Sequence, residues 1–200
     1  MDPETERLFE AAVGAFEGLG ARLERREGDF TSTLPVWAPL TFATWAARFG
    51  DHADRLGERM SESLRRWIEE GRGFSAVEAQ SAMALRTTVY REVQAWFETD
   101  DLILMPTLTR PAIDADHDPF EPIRIGNAPV GEIRAAWYPY THPFNLTGHP
   151  AITVPMGWTE AGLPVGLQIV GPWLGDARVL AAAAAFEAAR PWADRRPDLG

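Results

Sequence analysis

The chain has 200 residues, of which 46% are hydrophobic, and its formal net charge is −10. This length suffices for one sizeable core, so we expect residues 1–200 to form a single domain. The acidic balance argues against a nucleic-acid partner, because phosphate binding needs clustered cations. No apolar run is long enough for a membrane span, the N-terminus is charged rather than signal-like, and cysteine is absent, so we expect a cytoplasmic protein with no membrane partner.

The chain opens with a well-marked helix. Asp2 suits the N-cap, and Pro3 suits the first helical position, where its missing N–H is not needed. Apolar residues then recur at helical spacing as Leu8, Ala12, Phe16 and Leu19. Gly20 is placed to end the helix. The pattern predicts a helix over residues 3–19.

Residues 33–73 carry a weaker pattern. Helical segments are indicated over residues 40–49 and 58–70, with glycines after the second. The region also contains three tryptophans: Trp37, Trp45 and Trp67. We expect these side chains to pack between helices rather than to stack on a ligand, because buried aromatic residues usually fill cores.

A second long helix is followed by a buried strand. Ser75 and Glu78 have the spacing of a capping box. The unbroken apolar run over residues 102–105 is typical of a strand that is buried on both faces of a parallel sheet. In open α/β sheets ligands bind at the carboxyl ends of strands, so Thr107 is a candidate pocket residue. The alternative is that its hydroxyl caps a turn.

The following segment has little apolar pattern. Residues 111–131 contain four prolines, and a loop of this length is usually a lid, a specificity element or disordered. Three alternating aspartates beginning at Asp114 resemble the start of a calcium loop. However, Pro119 stands where that loop needs glycine, and Ile125 stands where it needs glutamate. We therefore expect no metal site.

Residues 143–172 are the most informative part of the chain. They read PFNLTGHPAITVPMGWTEAGLPVGLQIVGP, with apolar runs at 151–155 and 165–170 and turn residues between them. The second run alternates with period 2, so the pattern predicts a β-hairpin or a pair of neighbouring strands. His142 and His149 lie at a spacing that is poor for a metal, and we expect both to be structural. Beyond the hairpin, Asp176 is placed as the N-cap of an alanine-rich helix that stops near Arg190, before a tail that reaches Pro197.

The sequence of residues 143–172 resembles the C-terminal signature of the amidase signature family. The shared elements are Asn-x-Thr-Gly-x-Pro-Ala, then Val-Pro, then Gly-Leu-Pro-x-Gly-Leu-Gln. The run DLILMPT at residues 101–107 resembles the family's Asp-x-Leu-Leu-x-Pro-Thr strand, and the match is closest over residues 101–190. The resemblance implies an α/β fold with a mixed β-sheet flanked by helices, of which this chain holds an incomplete part.

The catalytic residues that the family uses are absent from this sequence. The family works through a serine nucleophile, a second serine in a cis peptide bond and a lysine base, with the serines in a Gly/Ser-rich run. Here all 19 basic residues are arginine, and no serine is followed by another serine or lies in a glycine-rich loop. The serines are Ser32, Ser61, Ser63, Ser75 and Ser81. The chain thus resembles the C-terminal part of an amidase without its active centre, and we expect it to be inactive alone. The resemblance implies no metal or organic cofactor.

The resemblance also indicates where an amide substrate would lie. Small-molecule pockets are mostly apolar with a few placed polar groups, and family members draw pocket residues from the stretch that leads into Asn-x-Thr-Gly. Together with Thr107, we therefore predict three substrate contacts: Trp137, Phe144 and Asn145. The alternatives are that Phe144 packs in the core and that Asn145 holds the backbone before Gly148.

Three functions remain open. The first is part of an amidase that hydrolyses carboxylic amides to acid and ammonia or amine, in a truncated, mis-started or split gene product. The second is a non-catalytic amide-binding or regulatory protein, and the third is a fragment of a tRNA-dependent amidotransferase A-type subunit. Family members build the sheet from both halves of the sequence, so the chain alone would expose unpaired strand edges. We expect it to be poorly soluble, homo-oligomeric or partly molten unless a missing N-terminal half is present.

Overall fold

Seven α-helices, two short 3-10 helices and two small antiparallel sheets are found in the part of the chain that the structure describes, residues 1–28 and 33–196 of a computed structural model. The helices are α1 (Pro3–Gly18), α2 (Leu34–Leu56), α3 (Glu62–Gly73), α4 (Ala76–Trp96), α5 (Ile133–Ala136), α6 (His142–Thr147) and α7 (Asp176–Ala189). The strands are β1 (Ile103–Pro106), β2 (Ile123–Ile125), β3 (Ala128–Gly131), β4 (Ala151–Trp158) and β5 (Pro164–Val170). Ser32 and Pro197 lie outside the described residues.

The larger sheet has the strand order β1-β5-β4, and both of its pairings are antiparallel. The predicted hairpin is confirmed as β4 and β5, with a register irregularity between Pro155 and Gly157. The expectation of a parallel sheet around β1 is wrong for the described residues, where β1 pairs antiparallel with β5 alone. An unbroken apolar run indicates burial on both faces, but it carries no information about the direction of the neighbouring strand.

Two apolar clusters cover the two faces of this sheet. On one face, alternate residues of β5 pack against α1 and α7, whose rings Phe16 and Phe186 stack with centroids 5.2 Å apart. On the other face, Val170 and Met105 pack with residues of α2, α4 and α6. The sheet is therefore the middle layer between two groups of helices, and the α/β fold class that the sequence predicts is confirmed.

Helix ends follow the sequence signals in most places. Asp2 Oδ1 accepts hydrogen bonds from the backbone of Glu4 at 3.0 Å and of Thr5 at 3.3 Å. Ser75 and Glu78 form the predicted capping box of α4. At α7 the prediction is wrong by one position: Asp176 is the first helical residue, Gly175 occupies the N-cap, and no side chain caps the helix.

The helices of the middle region differ from the predicted segments. α2 begins six residues before the predicted start at residue 40 and continues to Leu56, and α3 begins at Glu62 instead of residue 58. Proline usually interrupts a helix, and the sequence has prolines at positions 35 and 39. Pro35, however, lies in the first turn, where the missing N–H has no helical partner to lose, and the helix continues through Pro39.

The segment predicted as a structureless loop contains a second, short hairpin formed by β2 and β3. Gly126 has a φ of 57° and stands in the first central position of the two-residue loop, where a type II′ turn favours glycine. Ile123 is almost fully buried. The strands have only three and four residues, which is too short for alternation to be recognised among four prolines.

Candidate functional site

A small polar site lies on the sheet face that is turned away from α1 and α7. Alternation along β5 places Gly166 and Gln168 on this face. The hydroxyl groups of Thr107 and Thr153 meet above it, with their oxygens 3.2 Å apart. A Cβ atom at Gly166 would lie 2.8 Å from the Thr107 hydroxyl oxygen and 2.7 Å from the Thr153 methyl carbon. Glycine is therefore required for the two threonines to approach each other across the central strand.

Gln168 connects this polar site to the segment that carries α5 and α6. Its side chain is only 5% exposed, and Nε2 donates a hydrogen bond to the backbone oxygen of Tyr140 at 3.0 Å. Thr109 holds the same segment at a second point, because its hydroxyl donates to the Ala136 carbonyl. Within the segment, His142 Nε2 donates to the Arg134 carbonyl at 2.9 Å. Gln168 and Thr109 thus attach this segment to β5 and to the residues that follow β1.

The four predicted contact residues have different surroundings. Thr107 lies at the polar site, directly after β1. Trp137 is half-buried, and its ring N–H donates to the backbone oxygen of Arg110 at 3.1 Å. Phe144 is buried in the apolar cluster on the same side of the sheet, as its structural alternative predicts. Asn145 is exposed, and the turn that follows is closed by the Gly148 N–H, which donates to the Phe144 carbonyl at 2.8 Å.

A backbone hydrogen bond connects the segment that carries Thr107 to Trp137. Thr109, two residues after Thr107, donates its backbone N–H to the Trp137 carbonyl at 2.8 Å. Asn145, in contrast, is anchored to neither of them. The assignment of Thr107, Trp137, Phe144 and Asn145 as substrate contacts stays a prediction.

The two histidines make structural hydrogen bonds. His142 is 1% exposed, burial lowers its pKa, and its Nε2 proton is used on the Arg134 carbonyl. His149 lies between Thr147 Oγ1 at 2.8 Å and Gln94 Oε1 at 3.1 Å, and burial lowers its pKa as well. Both rings are therefore neutral near pH 7. Within residues 1–28 and 33–196, no group of three or more His, Asp or Glu side chains could hold a metal ion.

An aromatic cluster lies beside this site and contains a feature that the sequence did not predict. Trp37, Trp45 and Trp67 pack between α2 and α3 as expected, with ring centroids 6.4 Å apart for Trp37–Trp45 and 6.0 Å apart for Trp45–Trp67. The guanidinium group of Arg134 lies over the Trp67 ring, 3.8 Å from its centroid. We call Arg134 and the rings around it the arginine cluster; the rings are Trp37, Phe42, Trp45, Trp67 and Tyr138. No local motif marks this arginine, because four of the five rings around it come from α2 and α3.

We expect Gln168→Leu to loosen the segment that carries α5 and α6. The substitution keeps the volume but removes the hydrogen bond that Gln168 Nε2 donates to the Tyr140 carbonyl, which should lower the free energy of unfolding by about 1 kcal/mol. Urea unfolding would measure the loss. Gln80→Leu is the control, because Gln80 is exposed on α4 and its substitution should change stability by less than about 0.5 kcal/mol. Equal effects of the two substitutions would contradict the anchoring role of Gln168.

No helix of the described residues has both the length and the apolar character to cross a membrane. The family model described as Amidase matches residues 1–180. An acylamidase of Rhodococcus erythropolis is 32% identical over 207 residues, covering 98% of this chain and 41% of the relative. The A subunit of the glutamyl-tRNA(Gln) amidotransferase of Synechococcus sp. (strain CC9902) is 30% identical, covering 98% of this chain and 43% of the relative.

Solved structures agree with these sequence matches. A bacterial aryl acylamidase of the amidase signature family superposes with a TM-score of 0.77 at 28% identity, covering 98% of this chain and 44% of that structure. A further amidase structure has a TM-score of 0.83 at 24% identity, covering 94% of this chain and 42% of that structure, which supports the fold. The chain thus spans about two fifths of the length of the relatives it matches. Because the family model matches nine tenths of the sequence, the chain belongs to the amidase signature family.

Proposed function

We propose that this chain supplies the substrate-binding wall of an amidase that hydrolyses carboxylic amides to an acid and ammonia or amine. The main support for the proposal is that the chain belongs to the family but lacks the family's catalytic residues. The sequence matches the family over residues 1–180, yet it contains no lysine and no pair of adjacent serines. The nucleophile and the base would therefore come from another portion of the enzyme.

In the complete enzyme, the lysine would deprotonate the serine of the cis peptide bond, which relays the proton from the nucleophilic serine. That serine attacks the amide carbonyl, backbone N–H groups stabilise the oxyanion, the amine leaves, and water hydrolyses the acyl-enzyme. This chain would hold and orient the amide. The hydroxyls of Thr107 and Thr153 offer donors and acceptors at the sheet face, and the aromatic side chains around Trp137 would exclude water from that wall.

The unpaired outer strands of the sheet support the proposal that a second portion of the enzyme binds to this chain. Within the described residues, β1 and β4 are the outer strands, and each pairs on one side with β5 alone. Unpaired edge groups bind further strands or promote aggregation. We therefore propose that the chain associates through these edges, with an N-terminal half of the enzyme as the productive partner and with itself when that half is absent. The absence of cysteine is compatible with a cytoplasmic location.

A turnover assay tests the proposed function. A chromogenic acyl anilide is incubated with the purified chain, and then with the chain co-expressed with a polypeptide that carries the lysine and the double-serine run, taken from the adjacent coding sequence. We expect no hydrolysis by the chain alone and hydrolysis by the combination. Turnover by the chain alone would contradict the proposal.

A non-catalytic amide-binding or regulatory protein is the alternative that the same assay decides. The binding or regulatory function would be supported if the adjacent coding sequence encodes neither the lysine nor the double-serine run. It would also be supported if the two polypeptides form a complex that binds amides without hydrolysing them. An amidotransferase A-type subunit is the further alternative, favoured by the 30% identity to the Synechococcus protein. Glutaminase activity that depends on further subunits would distinguish that subunit from a general amidase.

A further inference from the structure

We propose that Arg134 binds a carboxylate group, so that the arginine cluster is an anion-binding site next to the proposed substrate-binding wall. In combination with the proposed function, on which this step rests, the preferred substrates are amides that carry a carboxylate away from the scissile bond. Binding of a simple carboxylate to the chain does not require catalysis, so the two proposals fail separately.

Within the described residues, the guanidinium of Arg134 is surrounded by aromatic rings and donates no hydrogen bond. The ring of Trp67 covers the guanidinium at 3.8 Å, and the centroids of Trp37 and Trp45 lie 5.1 and 5.2 Å from its central carbon. Aromatic rings interact with the face of a guanidinium, whereas its N–H donors point outward in the plane of the group. A planar carboxylate can therefore bind at that edge through two parallel hydrogen bonds.

The charge of Arg134 has no close counter-ion in the described part of the chain. No carboxylate there lies within 4.0 Å of the guanidinium, although the chain forms such ion pairs at other arginines. Glu70 is near enough to act on Arg134 through its charge but makes no ion pair with it. The Nε atom is fully buried without a hydrogen-bond partner, while the side chain as a whole is half-buried, so the terminal nitrogens are its accessible end. A cation held in this way is stabilised by binding an anion, because desolvation of an unpaired charge is unfavourable.

Tyr138 connects the arginine cluster to the predicted substrate wall. Its ring centroid lies 6.2 Å from the ring of Trp137 and 5.9 Å from the central carbon of the Arg134 guanidinium. Trp37 provides a second connection, since it contacts both Arg134 and the apolar cluster that contains Phe144. A ligand that contacts Trp137 would thus be separated from Arg134 only by the ring of Tyr138.

A fluorescence titration tests the carboxylate site, because the three tryptophans of the arginine cluster report on its occupancy. The chain is titrated with propionate and, separately, with the neutral isostere propionamide at constant ionic strength. We expect a saturable change with propionate only. Arg134→Gln should weaken propionate binding at least about tenfold, the loss expected for a charge-assisted pair of hydrogen bonds.

Two further variants make the result decisive. Arg66→Gln removes an exposed arginine that lies 3.4 Å from the ring centroid of Phe120, next to the cluster, and should leave propionate binding unchanged. Arg134→Lys keeps the charge but loses the planar pair of donors, so it should bind propionate more weakly than the parent chain, and it serves as the test if Arg134→Gln does not fold. Equal binding of propionate and propionamide, absence of saturable binding, or unchanged binding in the Arg134 variants would overturn the proposal.

Discussion

Phe186→Ala is expected to destabilise the protein by about 3–5 kcal/mol, the usual cost of removing a large buried aromatic side chain. Phe186 is fully buried, and its ring stacks on Phe16 and packs near Trp192. It therefore joins α7 to α1 over the central strand of the sheet. Removing the ring leaves a cavity at the meeting point of these elements, and the midpoint of urea unfolding should fall accordingly.

Leu180→Ala is the matched control for this substitution. Leu180 lies on the same helix but is 60% exposed, so its truncation should change the free energy of unfolding by less than about 0.5 kcal/mol. If both variants lost the same stability, α7 would not be packed on the sheet as described, and the account of the core would be wrong.

Gly71→Ala is expected to separate α3 from α2. A Cβ atom at Gly71 would lie 2.0 Å from the Phe42 carbonyl oxygen and 2.4 Å from its carbonyl carbon, and these are backbone atoms that cannot turn aside. The two helix backbones must move apart, which should cost about 1–3 kcal/mol. Because Trp45 and Trp67 pack across the same interface, the tryptophan emission should shift as well.

The control for Gly71 lies two residues further along the same helix. A Cβ atom at Gly73 would meet no atom within 4 Å, and alanine is the better helix former. Gly73→Ala should therefore leave the emission unchanged and should stabilise the chain by at most about 1 kcal/mol. A harmless Gly71→Ala substitution would mean that the helices do not approach each other so closely.

Local signals in the sequence predicted the elements that depend on local chemistry. The Asp2 cap, the Ser75–Glu78 capping box and the hairpin of residues 151–170 are confirmed, because each is specified by residues close together in the chain. The direction of β1 and the extent of α2 were mispredicted. Strand direction depends on a partner some sixty residues away, and the length of α2 depends on packing against α3 and α4, which no local pattern encodes.

The candidate site follows the same rule. Thr107 was predicted because it follows an apolar strand, and the signature around Asn145 identified the family. The meeting of Thr107 with Thr153 over Gly166 could not be predicted, because it requires three strands in a given register. The surroundings of Arg134 could not be predicted for a related reason: the rings around it belong to three separate parts of the chain, and an isolated arginine carries no motif.

Covalent labelling of the nucleophile tests whether the catalytic serine lies outside this chain. The chain, alone and combined with the polypeptide that carries the lysine and the double-serine run, is treated with a fluorophosphonate that reacts with activated serines, and the labelled peptide is located by mass spectrometry. We predict that none of the five serines of this chain is labelled in either sample, and that the label falls on the double-serine run of the other polypeptide. Labelling of a serine within this chain would show that it contains its own nucleophile, and the proposed division of the enzyme would then be wrong.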